Sequence, residues 1–149
     1  MKLEEAIKQK EFKSEQQKLN INIIYTANWI GGYGDKLFKE YNLTSQQFNI
    51  LRILRGQHPK PASIKLLKER MLDKNCDASR LVDNLVRKNF AQRSINSFDR
   101  RQSDVIITTA GLKILAEIDK RLPEYEKHLS TLSNEEMKTL NHLLDKLRG

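Results

Sequence analysis

The feature that most constrains this chain is the apolar spacing of Ala78, Leu81, Val82, Leu85 and Val86. At about 100° per residue these five side chains form one stripe along a helix, and such a stripe must be buried against something. The spacing predicts a helix from about Asn75 to Asn89. Asn75 is the expected N-cap, and Asp77 falls in the first turn, where a carboxylate complements the helix dipole. The opposite face then carries Cys76, Asp77, Arg80, Asp83, Asn84 and Arg87, with Ser79 at the boundary. Every amphipathic helix has a polar face, and Asp83 with Arg87 has the i,i+4 spacing of an ordinary surface pair. The helix alone leaves function open, so its neighbours have to decide.

A shorter helix is expected before it, from Ser63 to Leu72, with Ile64, Leu67 and Met71 inward and Lys65 and Lys68 outward. Two strands are expected after it, Ala91 to Asn96 and Ser103 to Thr108. Ala91, Arg93 and Ile95 alternate with Gln92, Ser94 and Asn96, the period of a half-buried strand, and Val105, Ile106 and Ile107 form the return. The connection from Ser97 to Gln102 lacks Gly and Asn-Gly, which favours a longer loop over a two-residue turn. Two helices followed by a hairpin with arginines at its tip make a winged helix-turn-helix. In that arrangement the second helix enters the major groove of DNA and the hairpin reaches an adjacent groove.

The chemistry fits. An arginine suits a guanine edge and an amide suits adenine, so Arg80 is the first candidate for base contact, with Asp77, Ser79 and Asn84 beside it. Lys65, Lys68 and Arg87 are candidates for the phosphate backbone, which orients a module without reading sequence. Asp99, Arg100 and Arg101 form a tip suited to a narrow minor groove, with Asp99 holding one arginine in place.

These residues carry a family resemblance. The stretch Leu43-Thr44-Ser45-Gln46-Gln47-Phe48-Asn49-Ile50-Leu51-Arg52-Ile53-Leu54 resembles the second-helix signature of the MarR family of bacterial transcription regulators. Ser79 to Leu85 is similar to its recognition helix, and Asp99-Arg100-Arg101 with Val105 to Thr108 and Gly111 is similar to its wing and following helix. The match runs over about residues 43 to 115. Two positions depart from the pattern: Asn89 stands where the family usually has Gly, and Cys76 where a small or polar residue is usual. Asn tolerates a left-handed backbone, so the first departure is mild. The resemblance implies a homodimeric repressor that occludes a pseudo-palindromic operator. It also implies release by a small, often aromatic, anion bound between the dimerisation helices and the DNA-binding lobe.

Charge supports a polyanionic partner. The chain has 27 basic and 19 acidic residues, net +8, and residues 60 to 110 hold eleven of the former and six of the latter. A basic membrane-surface protein would also be positive. One cysteine, no signal-like apolar segment in Met1 to Lys18 and no long apolar span point to a soluble, reducing, cytoplasmic setting.

The flanks are helical: residues 1–42 are expected as an N-terminal dimerisation region, 43–110 as the DNA-binding lobe and 111–149 as C-terminal dimerisation helices. Leu19, Ile23, Ala27, Ile30 and Leu37, broadened by Ile24 and Trp29, give a stripe over about Glu15 to Glu40. Gly31, Gly32 and Gly34 interrupt it, through a kink, through close packing against another helix, or by leaving room for a ligand beside Trp29 and Tyr33. Thr44 to Gln47 is a capping box for a helix ending by Gly56, with Phe48, Leu51 and Leu54 inward, and His58 to Pro61 is expected as an extended connection. Thr108 caps a helix bearing Ile114, Leu115, Ile118 and Leu122, which Pro123 should kink or divide. Ser133 to Glu136 is a second capping box, and Leu132 with Met137 has the spacing of a hydrophobic staple. Met137, Leu140, Leu144 and Leu147 form a terminal stripe with little left inside the chain to cover it, so the end helices are expected to pair across a two-fold axis rather than close a monomeric bundle.

Other chemistry is sparse. His58, His128 and His142 lack ligand spacing, no phosphate loop is present, and no cofactor, metal or enzymatic activity is expected. Two further readings remain: an architectural DNA-binding protein without effector response, and a redox-sensing regulator using Cys76 near a helix N-terminus.

Overall fold

The computed structural model describes every residue, Met1–Gly149. The elements in chain order are α1 (Leu3–Ala6), α2 (Glu15–Glu40), α3 (Ser45–Gln57), β1 (Ala62–Ser63), α4 (Ile64–Arg70), α5 (Ala78–Arg87), β2 (Ala91–Ile95), β3 (Ser103–Ile107), α6 (Thr109–Tyr125) and α7 (Asn134–Arg148). A 3-10 turn, Glu126–Leu129, separates the last two helices. The fold is therefore mainly helical with a small β-hairpin wing, a winged helix-turn-helix carrying helices on both sides.

Local chemistry sets most of the boundaries. Ser14, Thr44, Ser63, Thr108 and Ser133 each accept a hydrogen bond from the backbone N–H three residues on, which satisfies one of the free donors of a first helical turn. The two expected capping boxes are complete: Gln47 and Glu136 reach back to the backbone N–H groups of Thr44 and Ser133 at 3.1 and 2.7 Å. Helix α2 runs unbroken through Gly31, Gly32 and Gly34. Helix α6 also passes through Pro123 to Tyr125 instead of dividing there. Proline removes one backbone hydrogen bond, and so close to the end the helix has only a few left to lose. His58–Lys60 forms a turn rather than an extended link, closed by Lys60 N donating to Gln57 O at 2.8 Å.

The sheet has order β1-β3-β2 and is antiparallel throughout. Ala91 faces Ile107, Arg93 faces Val105 and Ile95 faces Ser103, while the two-residue β1 sets Ala62 against the other side of Val105. Of the expected β2 alternation only Ala91 is buried; Arg93 and Ile95 are exposed. The hairpin stays on the lobe through its third pair, Arg93 with the buried Val105, and only its outer end projects.

One cluster of nineteen buried side chains holds the molecule together. It takes Leu51 and Leu54 from α3, Leu67 from α4, Leu81, Val82 and Leu85 from α5, and Val105 and Ile107 from β3. It also reaches into the flanks for Leu37 and Phe38 of α2 and Leu115 and Ile118 of α6. Gly111 allows α6 to start against the α5–β2 junction: a Cβ there would lie 2.3 Å from Phe90 O and 2.7 Å from Ile107 Cγ1. Asn89 supplies the left-handed residue that ends α5, with φ of 61°. Thr108 Oγ1 donates to its carbonyl at 2.7 Å. Arg55 pairs with Asp119 and Arg121 with Glu40, tying α6 to α3 and α2.

The ends are different. Helix α7 buries no residue, and the N-terminal half of α2 leaves Leu19 and Ile24 exposed.

Candidate nucleic-acid interface

Helix α5 starts later than its apolar pattern suggests, at Ala78, because Asp77 and not Asn75 is the N-cap. Asp77 Oδ1 accepts from Arg80 N at 3.0 Å. Cys76, expected on the polar face, is instead 8% exposed within the core cluster. Both shifts have one cause: packing the Cys76 side chain inward leaves the preceding residues in a turn, so the helix begins only after it. The thiol is thereby surrounded by core side chains, unlike the exposed, electropositive settings in which reactive cysteines sit.

The four base-contact candidates on α5 are not equivalent. Asp77 commits one oxygen to the cap. The Ser79 hydroxyl accepts from Arg93 Nη1 at 3.1 Å, and Asn84 Oδ1 accepts from the Arg87 guanidinium. Arg80 is exposed, and its guanidinium has no hydrogen-bond or ion-pair partner. Asp83 does not pair with Arg87; it receives Arg93 Nη1 at 2.7 Å. Arg93 is the residue that sequence reasoning missed. From β2 it bridges Ser79 and Asp83 and fixes the root of the wing against α5. Its position within a strand gives no hint of a partner ten or more residues earlier.

The wing tip is built from its own side chains. Asn96 Oδ1 accepts from the backbone N–H groups of Phe98 and Asp99 at 2.9 and 2.8 Å, and Asn96 Nδ2 donates to Asp104 at 2.9 Å. Asp99 accepts from Arg101 N at 3.0 Å and from Gln102 Nε2 at 3.1 Å. The Arg101 backbone N–H and then Gln102 hold its carboxyl below the usual carboxylate value. Asp99 also braces the Arg101 side chain at 3.3 Å, while that side chain remains 92% exposed. Arg100 is exposed without a partner, and on α4 Lys65 and Lys68 face outward as expected.

A second concavity lies between α2 and α6. It has a volume of about 280 Å³ and is lined by Tyr33, Lys36, Glu40, Arg121, Tyr125 and His128 among others. Tyr33 stacks on His128 with ring centres 4.4 Å apart, and Trp29 packs edge-on against both. Of the two expected ligand-side residues, Tyr33 lines the cleft and Trp29 backs it. His128 Nδ1 contacts the Tyr125 carbonyl, whereas its Nε2 is buried without a partner. Burial raises the Tyr125 phenol, and the hydrogen bond that Arg121 donates to the Glu40 carboxylate holds the guanidinium further above its already high value.

The comparisons with known proteins agree with this geometry. No protein-family model matches the chain. It is 31% identical over 115 residues, 77% of its own length and 76% of the relative's, to the HTH-type transcriptional regulator MgrA of Staphylococcus aureus. It superposes on a cysteine-to-serine mutant of Escherichia coli MarR complexed with operator DNA with a TM-score of 0.80, at 23% identity over 93% of this chain and 99% of that one. The chain belongs to the MarR family. A third likeness is to BpsR of Bordetella bronchiseptica, whose DNA binding is regulated by 6-hydroxynicotinic acid. There the TM-score is 0.78 at 17% identity, over 89% of this chain and 99% of that one. As a MarR-family protein the chain is a DNA-binding transcription regulator, and these relatives are regulators rather than enzymes. No helix of this MarR-family chain is long and apolar enough to cross a membrane.

Proposed function

We propose that the chain acts in the cytoplasm as a homodimer on a pseudo-palindromic operator, with α5 of each copy entering successive major grooves about one helical turn apart. The observation that carries this reading is Arg80, an exposed guanidinium without a partner on a helix whose opposite side is sealed into the core. Arg80 reads a base edge, with Asp77, Ser79 and Asn84 beside it. Lys65, Lys68 and Arg87 meet phosphates, and Arg100 or Arg101 enters the minor groove. The exposed stripes of α2 and α7 supply the two-fold contact between residues 1–42 and 111–149 of two copies, leaving 43–110 free for DNA.

Binding represses by occlusion, and an effector relieves it. The cleft beside Tyr33 and His128 suits a small aromatic or anionic molecule: it offers ring faces, an unpaired buried imidazole nitrogen and the cations Lys36 and Lys127, while Arg121 is held by Glu40. Such a molecule releases DNA only by binding the DNA-incompetent geometry more tightly.

Titration of a duplex selected by the protein from random sequence tests the assembly. Two chains per duplex are expected, and one chain would contradict the dimer. In the same assay Arg101→Ala should weaken binding and lower the salt slope by about one. An unaltered slope would exclude the minor-groove and phosphate roles of the wing.

A further inference from the structure

Phe98 stands at the apex of the wing with 98% of its surface exposed, more than any other large apolar side chain in the molecule. Nothing in the fold requires an aromatic residue there. The turn is closed by main chain and by Asn96, Asp99, Asp104 and Gln102, and Phe98 contributes to it only its backbone N–H, which donates to Asn96 Oδ1. That network makes the loop a defined platform rather than a loose end. The same platform carries Arg100 and the 92%-exposed Arg101 two and three residues on.

A phenyl ring beside two guanidiniums is the combination found where a protein enters a minor groove. The cations follow the groove's negative potential, and an apolar wedge partly unstacks a base step that the groove exposes. We propose that Phe98 is a DNA contact, its ring pressed from the minor groove against a base step flanking the half-site, so that the deformability of that step becomes part of the operator. This inference rests on the DNA-binding reading above and adds a readout that Arg80 and the wing arginines do not supply. The occupant is duplex DNA and not another protein surface, because the apolar ring is set beside the unpaired guanidinium of Arg100 and that of Arg101, which stays 92% exposed although Asp99 braces it. Pyrimidine–purine steps unstack most easily and are the ones the ring should favour.

The experiment is a pair of selections from a randomised duplex pool, one with the full chain and one with Phe98→Ala, followed by binding titrations with the selected duplexes at several salt concentrations. The original chain should enrich pyrimidine–purine steps at the flanking positions. Phe98→Ala should select the same half-site core but lose the flank preference, with at least a fivefold fall in discrimination between flexible and stiff flanks. Its salt slope should not change, because no charge is removed. Phe98→Leu, which keeps an apolar wedge, should restore part of the preference. Identical flanks in the two pools would overturn the proposal while leaving the Arg80 reading standing. Pools without a common core would overturn the DNA-recognition reading and this inference with it.

Discussion

Leu85 on α5 and Leu147 on α7 are the same side chain at the same kind of position, the apolar stripe of a capped amphipathic helix. The first has no solvent exposure and the second keeps 57%. Helix α5 finds its partners inside the chain, in α3, α4 and β2, and contributes three large side chains to the common core. Helix α7 finds none: Leu140, Leu143 and Leu147 are all exposed. The contrast separates two uses of one sequence pattern. A stripe that the chain itself covers fixes the shape of the lobe that holds Arg80, whereas a stripe left open is the surface we propose for a second copy.

The largest expected effect tests the covered side. Leu85→Ala should destabilise the fold by about 2–5 kcal/mol in denaturant melts, from lost transfer energy and the cavity left behind. Leu147→Ala, measured at concentrations where the chain is monomeric, should stay within about 0.5 kcal/mol. Equal losses would erase the distinction. Next comes the open side. Replacing Leu140 and Leu147 together by Asp should weaken self-association at least about a hundredfold, since each buried leucine is worth about 1.5–3 kcal/mol. The helical circular dichroism of the lobe should survive. Sedimentation showing an undiminished dimer would refute the role of the α7 stripe.

The glycines offer a smaller and sharper contrast. Gly111→Ala drives a Cβ into the Phe90 carbonyl and should cost about 1–3 kcal/mol. Gly31→Ala meets nothing within 4 Å and should stabilise α2 by up to about 1 kcal/mol. If Gly31→Ala instead lowers self-association, the glycine run serves close helix packing across the two-fold axis.

What the sequence discloses follows the range of the forces involved. The limits of α2 are readable because the stripe that marks them lies within the helix itself. The capping boxes at Thr44 and Ser133 are readable for the same reason. The start of α5 is not, because Asn75 and Asp77 are both competent caps, and the choice between them depends on Cys76 packing into a core assembled from distant segments. Arg93 reads locally as one tooth of a half-buried strand. Its ion pair with Asp83 depends on how the hairpin docks on α5, which no local period encodes. The two-residue β1 exists only because β3 lies beside it. The 3-10 turn that delivers His128 to Tyr33 likewise carries no strong propensity of its own. Local rules therefore mark out the elements, and tertiary contacts decide which polar side chains remain free for a partner.

Arg80 is the residue on which both halves of the comparison meet: the core orients it, and in the proposed dimer the end helices repeat it. Binding of Arg80→Ala to a selected duplex, relative to a scrambled duplex of equal length at the same salt, is the most direct measurement. Discrimination should fall by about 1–3 kcal/mol with an unchanged melting curve. Full discrimination retained by this variant would contradict the assignment of α5 as the reading helix.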